Sequence, residues 1–126
     1  MNIPKQYLPV MPYIITGESE AFLAFTKKVF NATEQLIVPG EGDRTIMHGE
    51  IRIFDAVIMF AQRPEGYADR AAGMYIYVEN VDSVYELALK NNAKTLHAPL
   101  KQDYGYTAGF EDPFGNQWWI VEPESE

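Results

Sequence analysis

Cysteine is absent from the 126 residues, which excludes disulfides, thiol catalysis, cysteine-ligated zinc and iron–sulfur clusters. Histidine is almost as scarce. His48 and His97 are the only two, so a three-histidine metal site cannot form and any metal would depend mostly on carboxylates. Positive charge is also short, with 10 Lys plus Arg against 18 Asp plus Glu and a net charge of -8. A phosphate backbone or anionic lipid surface would be repelled on average, so neither nucleic acid nor membrane is expected as a partner. No apolar run approaches the roughly 18 residues of a spanning helix, and Met1–Val10 lacks the charged-then-apolar build of a signal peptide. A soluble, cytoplasmic protein is expected. There is no glycine-rich phosphate loop, no Gly-x-Ser-x-Gly elbow and no Ser/His/Asp set, so nucleotide hydrolysis and serine catalysis have no support.

What is present is enough apolar material, 47% of residues, for one domain over 1–126 with its own core. The periodicity reads as two units, about 8–62 and 74–122. Leu8–Ile15 is apolar enough for a strand, but Pro9 and Pro12 cannot donate to a ladder, which predicts an edge or bulged strand. Phe22, Phe25, Val29 and Phe30 then recur at helical spacing, with Asn31 suited to a left-handed cap. Strands follow at Glu34–Pro39, Thr45–Ile53 and Val57–Gln62, separated by Gly40-Glu41-Gly42-Asp43 and a tight turn at Asp55-Ala56. After Arg63–Gly73 the order recurs: a strand Met74–Val78, a helix Val81–Asn91 capped by Asn80, and strands Thr95–Ala98, Thr107–Glu111 and Gln117–Glu122. Asn92 stands where a helix end wants positive φ. Echoes at an offset of about 60 residues support a doubled β-α-β-β-β unit: Tyr13-Ile14 with Tyr75-Ile76, Asn31-Ala32 with Asn92-Ala93, Gly49 with Gly109, and Phe54 with Phe114. The fold class is therefore α+β, with curved mixed sheets expected to enclose a small-molecule cup.

This doubled order, the segment His48-Gly49-Glu50-Ile51-Arg52-Ile53 and the run Asp112-Pro113-Phe114-Gly115-Asn116-Gln117-Trp118-Trp119-Ile120 together resemble the vicinal oxygen chelate superfamily, and more narrowly its PhnB-like branch. That group includes glyoxalases, extradiol dioxygenases, fosfomycin-modifying enzymes and bleomycin-sequestering proteins. The resemblance implies metal ligands on the first and last strands of each unit. Counted onto this chain, those positions are Met11 or Pro12, Met59, Met74 and Trp119, all apolar, and a thioether does not suit a hard divalent ion. No metal and no cofactor are therefore expected. Met11, Met59, Met74 and Trp119 read either as an apolar ligand floor or as plain core filling, and Met59, Met74, Phe110 and Trp119 are the apolar residues expected to touch a ligand.

The polar candidates lie on one strand. If Asp55-Ala56 is a two-residue loop, Arg52 lies opposite Met59, and period-two alternation aligns His48 and Glu50 with it. Glu50 could act as general base or ligand anchor, His48 as its acid–base partner and Arg52 as a ligand contact. The alternatives are an ion-pair ladder or a register slip that turns all three to solvent. Arg63–Gly73 and Asp103-Tyr104-Gly105-Tyr106 read as lids or as ordinary connections, and His97 as a histidine at a strand end or sheet edge. Trp118, alternating with Trp119, should face away. The leading expectation is a glyoxalase/bleomycin-resistance-like protein that binds a small molecule without the usual metal. The alternatives are a lyase or isomerase with Glu50 as base, with or without a metal recruited by His48 and Glu50, and a purely structural or regulatory interaction domain. A homodimer is expected on the resemblance and on the aromatic content.

Overall fold

The computed structural model describes residues 1–41 and 46–124, in two compact units, Met1–Arg70 and Ala71–Glu126. The first contains β1 (Tyr13–Thr16), α1 (Ser19–Phe30), β2 (Thr33–Val38), β3 (His48–Ile53) and β4 (Ala56–Gln62). The second repeats the order with β5 (Gly73–Tyr77), α2 (Val81–Lys90), β6 (Lys94–Gln102), β7 (Gly105–Glu111) and β8 (Gln117–Val121). Each unit is an α+β layer of one helix on a four-stranded mixed sheet, ordered β1-β4-β3-β2 and β5-β8-β7-β6. In both, the first strand pairs in parallel with the last and lies at the sheet edge.

The helices form where the apolar period and the end signals agree. Phe22, Phe25, Val29 and Phe30 of α1 are buried, and Phe22 packs on Phe60 of β4 with ring centroids 5.1 Å apart. That contact assigns Ile51, Phe60 and their alternates to the helix side of the first sheet. Asn31 ends α1 at φ 56°, and Ala32 donates back to the Thr26 carbonyl. The second helix repeats the device: Asn80 Oδ1 accepts from the Ser83 N–H at 2.9 Å, Asn92 adopts φ 71°, and Ala93 donates to the Ala88 carbonyl. Short polar side chains tolerate the left-handed region better than β-branched ones, which is why asparagine serves at both ends.

Several boundaries differ from the sequence reading. The strand expected from Leu8 begins only at Tyr13, because Pro9 and Pro12 supply no N–H to the ladder. The β3–β4 turn is Phe54-Asp55, not Asp55-Ala56, since Ile53 pairs with Ala56 and Phe54 takes φ 52°. Strand β6 runs past Ala98 to Gln102, with register shifts on both sides of His97 that accommodate Pro99, so His97 sits within an edge strand rather than at its end. Asp103-Tyr104 is a two-residue turn, since Gln102 pairs with Gly105, and Tyr106 already belongs to β7. Gly42, Asp43 and Thr45 lie outside the described residues. One echo also fails: Gly49 opposes Phe60 on the helix side, whereas Gly109 opposes Trp119 on the other face.

The Asp112–Asn116 run closes the β7–β8 hairpin through one buried carboxylate. Asp112 Oδ1 accepts from the Phe114 and Asn116 N–H groups, and Oδ2 from Asn116 Nδ2 and Trp118 Nε1, each at 2.9 Å. Burial pushes the Asp112 carboxyl above its ordinary value, and these donors offset only part of that rise. Gly115 takes φ 88°, a left-handed turn position that a side chain would strain. Among the described residues no helix is long and apolar enough to cross a membrane.

Candidate functional site

Each sheet has a helix side and an opposite side, and the sequence-predicted residues divide between them. In the first unit Glu50 pairs with Met59, Arg52 with Val57 and His48 with Ala61. The register is shifted by two from the expected Arg52–Met59 pairing. A two-residue shift preserves the face, so His48, Glu50, Arg52 and Met59 all lie opposite α1. Tyr13 of β1 joins them by pairing with Met59.

Glu50 is the centre of this group. It is 2% exposed, yet its carboxylate is fully engaged. The Tyr7 hydroxyl lies 2.9 Å from Oε1 and 3.0 Å from Oε2, Gln35 Nε2 donates to Oε1 at 3.1 Å, and His48 Nε2 is 2.9 Å from Oε2. A bulge in β2 between Glu34 and Leu36 turns Gln35 toward it. The Tyr13 hydroxyl is 3.1 Å from His48 Nδ1. A neutral imidazole protonated on Nε2 satisfies both contacts, accepting from Tyr13 and donating to Glu50. Burial alone would raise the Glu50 carboxyl, but hydrogen bonds from His48, Gln35 and Tyr7 outweigh it and hold the group below its ordinary value. The same carboxylate pushes the Tyr7 phenol up, keeping it a donor. Glu50 is therefore built as a stabilised anion with its acceptor positions occupied, the opposite of what a general base at neutral pH requires. Arg52 does not join the cluster; its Nη2 donates to the Gln6 carbonyl at 3.1 Å.

In the second unit the predicted floor separates. Met74 and Phe110 both pair with Trp118, on the side that carries Tyr106, whose hydroxyl bonds Asp82 of α2. Phe110 and Trp118 are buried there. Trp119 alone of the expected set lies on the opposite side, half-buried, with Tyr75 paired to it on β5 and Gly109 on β7. A Cβ at Gly109 would come within 2.5 Å of the Trp119 ring, so glycine is what lets the indole lie flat on the strand. His97 stacks beside it at 5.8 Å and 29°. Tyr75 and Tyr77 meet edge to face at 5.8 Å on the same side and remain 57% and 58% exposed. Sequence reasoning missed Tyr75, Tyr77 and His97 here, and Tyr7, Gln35 and Tyr13 in the first unit. The Tyr13/Tyr75 echo was the one signal available. Tyr7 carried none, because it lies outside any periodic element.

The register also corrects the implied metal positions. On the sides away from the helices, the first and last strands carry Tyr13 and Met59 in one unit and Tyr75 and Trp119 in the other. Met74 is replaced in this set by its neighbour Tyr75, and Met11 or Pro12 by Tyr13. Neutral phenols, a thioether and an indole do not suit a hard divalent ion. Among the described residues no group of three or more His, Cys, Asp or Glu is assembled to hold a metal.

The family model described as Glyoxalase/Bleomycin resistance protein/Dioxygenase superfamily matches residues 7–120. The protein Mb0911c of Mycobacterium bovis is 25% identical over 127 residues, covering 91% of this chain and 83% of its own. Among solved structures, PA1353 from Pseudomonas aeruginosa aligns with a TM-score of 0.78 at 14% identity, over 94% of this chain and all of its own. A PhnB protein from Bacillus cereus aligns at 0.74 and 13% identity, over 91% and 99%. At these identities the structural neighbours establish a common fold.

Proposed function

This chain belongs to the Glyoxalase/Bleomycin resistance protein/Dioxygenase superfamily, and from that premise we propose that it binds a planar small molecule by stacking, without the divalent metal on which many such folds rely. The observation that carries this reading is the half-buried Trp119, laid flat over Gly109, stacked on His97 and flanked by the exposed rings of Tyr75 and Tyr77. Exposed aromatic surface with hydroxyl tips is costly to leave in water and suits a flat ligand with polar edges. The donor types at the implied ligand positions support the absence of a metal role. The engaged, low-pKa Glu50 weighs against the lyase or isomerase reading, since a base must have a free lone pair and a pKa nearer neutrality.

Single-tryptophan variants test the reading. An aromatic ligand should change the fluorescence of Trp118→Phe, which keeps Trp119, and leave that of Trp119→Phe nearly unchanged. A ligand that quenches Trp118 alone would refute it, because that indole is 1% exposed on the helix side.

A further inference from the structure

The segment before β1 contributes to the Glu50 cluster in an unusual way. It forms no helix or strand, and Met1 and Val10 are 103% and 85% exposed. Pro4, Pro9 and Pro12 remove three of its N–H donors. Among the described residues its polar ties to the first sheet are the Tyr7 hydroxyl to both Glu50 oxygens, the Gln6 carbonyl to Arg52, and the Pro12 carbonyl to the Met59 N–H. A segment without helix or strand thus inserts one phenol into a site whose other parts are fixed on strands. Gln35 is on β2, and His48 and Glu50 are on β3. The phenol proton is shared between the two oxygens of a nearly inaccessible carboxylate. That is the contact a separate phenolic molecule would make.

We propose that Glu50, His48 and Gln35 form a subsite for a phenol or similarly acidic hydroxyl, and that Tyr7 fills it as an internal ligand which an external one must displace. The carboxylate accepts the hydroxyl proton without taking it, so recognition is a charge-assisted hydrogen bond, stronger than a neutral one. His48 and Gln35 hold the remaining lone pairs and keep the anion in place. A hydrocarbon ring lacking the hydroxyl would leave Glu50 short of a donor and should not compete. The tethered phenol acts as a competitor at high effective concentration, so the apparent affinity for an external phenol is scaled down by the fraction of molecules with the segment released.

The test uses full-length variants and two probes, 4-methylphenol and toluene, followed by NMR titration. Tyr7→Ala should bind 4-methylphenol at least about tenfold more tightly than the parent chain, as expected if the segment is released in a tenth of molecules or fewer. Toluene should show no such gain. Tyr7→Phe keeps the ring but loses the donor, and should fall between the parent and Tyr7→Ala. Adding Glu50→Leu to Tyr7→Ala should abolish the gain. If that double variant does not fold, the Tyr7→Phe result decides. Equal 4-methylphenol affinity in the parent and both Tyr7 variants, or an equal gain for toluene, would overturn the proposal. The readout is independent of Trp119, so a failure of stacking in the second unit leaves it standing.

Discussion

Glu50 and Asp112 are both buried carboxylates, and they respond to acid in opposite directions. Glu50 is held below its ordinary value of 4.5, so the unfolded chain binds its proton first; the stability it contributes is complete above that value and is lost as pH falls through its folded pKa. Asp112 is raised above 3.8, so its folded form takes a proton first and its ionisation costs stability as pH rises through the folded pKa. Glu50→Gln should therefore make the acid limb of the unfolding curve less steep than in the parent chain, as read by urea denaturation from pH 5 downward, whereas an unchanged slope would remove Glu50 from the acid response. Asp112→Asn should lower stability by about 1–3 kcal/mol at pH 7, because an amide turns one acceptor into a donor facing other N–H groups. Gly49→Ala should be costly as well, since the new Cβ would meet the Phe60 ring at 2.2 Å, and overpacking of this kind typically costs about 1–3 kcal/mol.

At the level of elements, the two units reuse the same helix exit. Asn31 and Asn92 sit at φ 56° and 71°, and the residue after each returns a hydrogen bond to the helix. Asn92→Ala should destabilise the protein by about 1 kcal/mol, while Asn92→Gly should be close to neutral, since glycine reaches this region without a Cβ penalty. Equal melting temperatures for the two variants would contradict the cap assignment. The sheets differ more than the helices. In the first, a β2 bulge delivers Gln35 to Glu50; in the second, the irregularity falls on β6 around Pro99 and brings His97 beside Trp119. One backbone device thus builds a polar cluster in one unit and an aromatic one in the other.

For the whole molecule, the donor sets on both sheets lead to an expectation about composition: purified protein should carry no stoichiometric divalent metal. Elemental analysis finding about one tightly held Zn, Ni, Mn or Fe per chain would reject it. We also propose that the chain forms a homodimer, because β2 and β6 lie at the edges of their sheets, where a second copy could pair. Light scattering should then report twice the 14.3 kDa chain mass, and a monomer at micromolar concentration would reject it.

The doubled unit, both helices with their asparagine exits, the edge position of the first strand and the side of the sheet on which His48, Glu50 and Arg52 lie were all legible in the sequence. These follow from local rules: a 3.6 or 2.0 period, a left-handed cap, a proline without a donor. Even the misplaced β3–β4 turn did no harm, because an error of two residues returns each side chain to the same face. The split of Met74 and Phe110 from Trp119 was decided by pairing between strands, where one residue of register reverses the face. What Glu50 does was decided further still from local sequence. Its pKa is held down against burial first by His48 on the same strand, and then by Gln35, turned inward by a bulge, and Tyr7, 43 residues away in an irregular segment. Alternation along β3 recorded the His48 donor, but a carboxylate's chemistry is set by every donor that reaches it in three dimensions, and no periodicity along the chain records Tyr7 or Gln35.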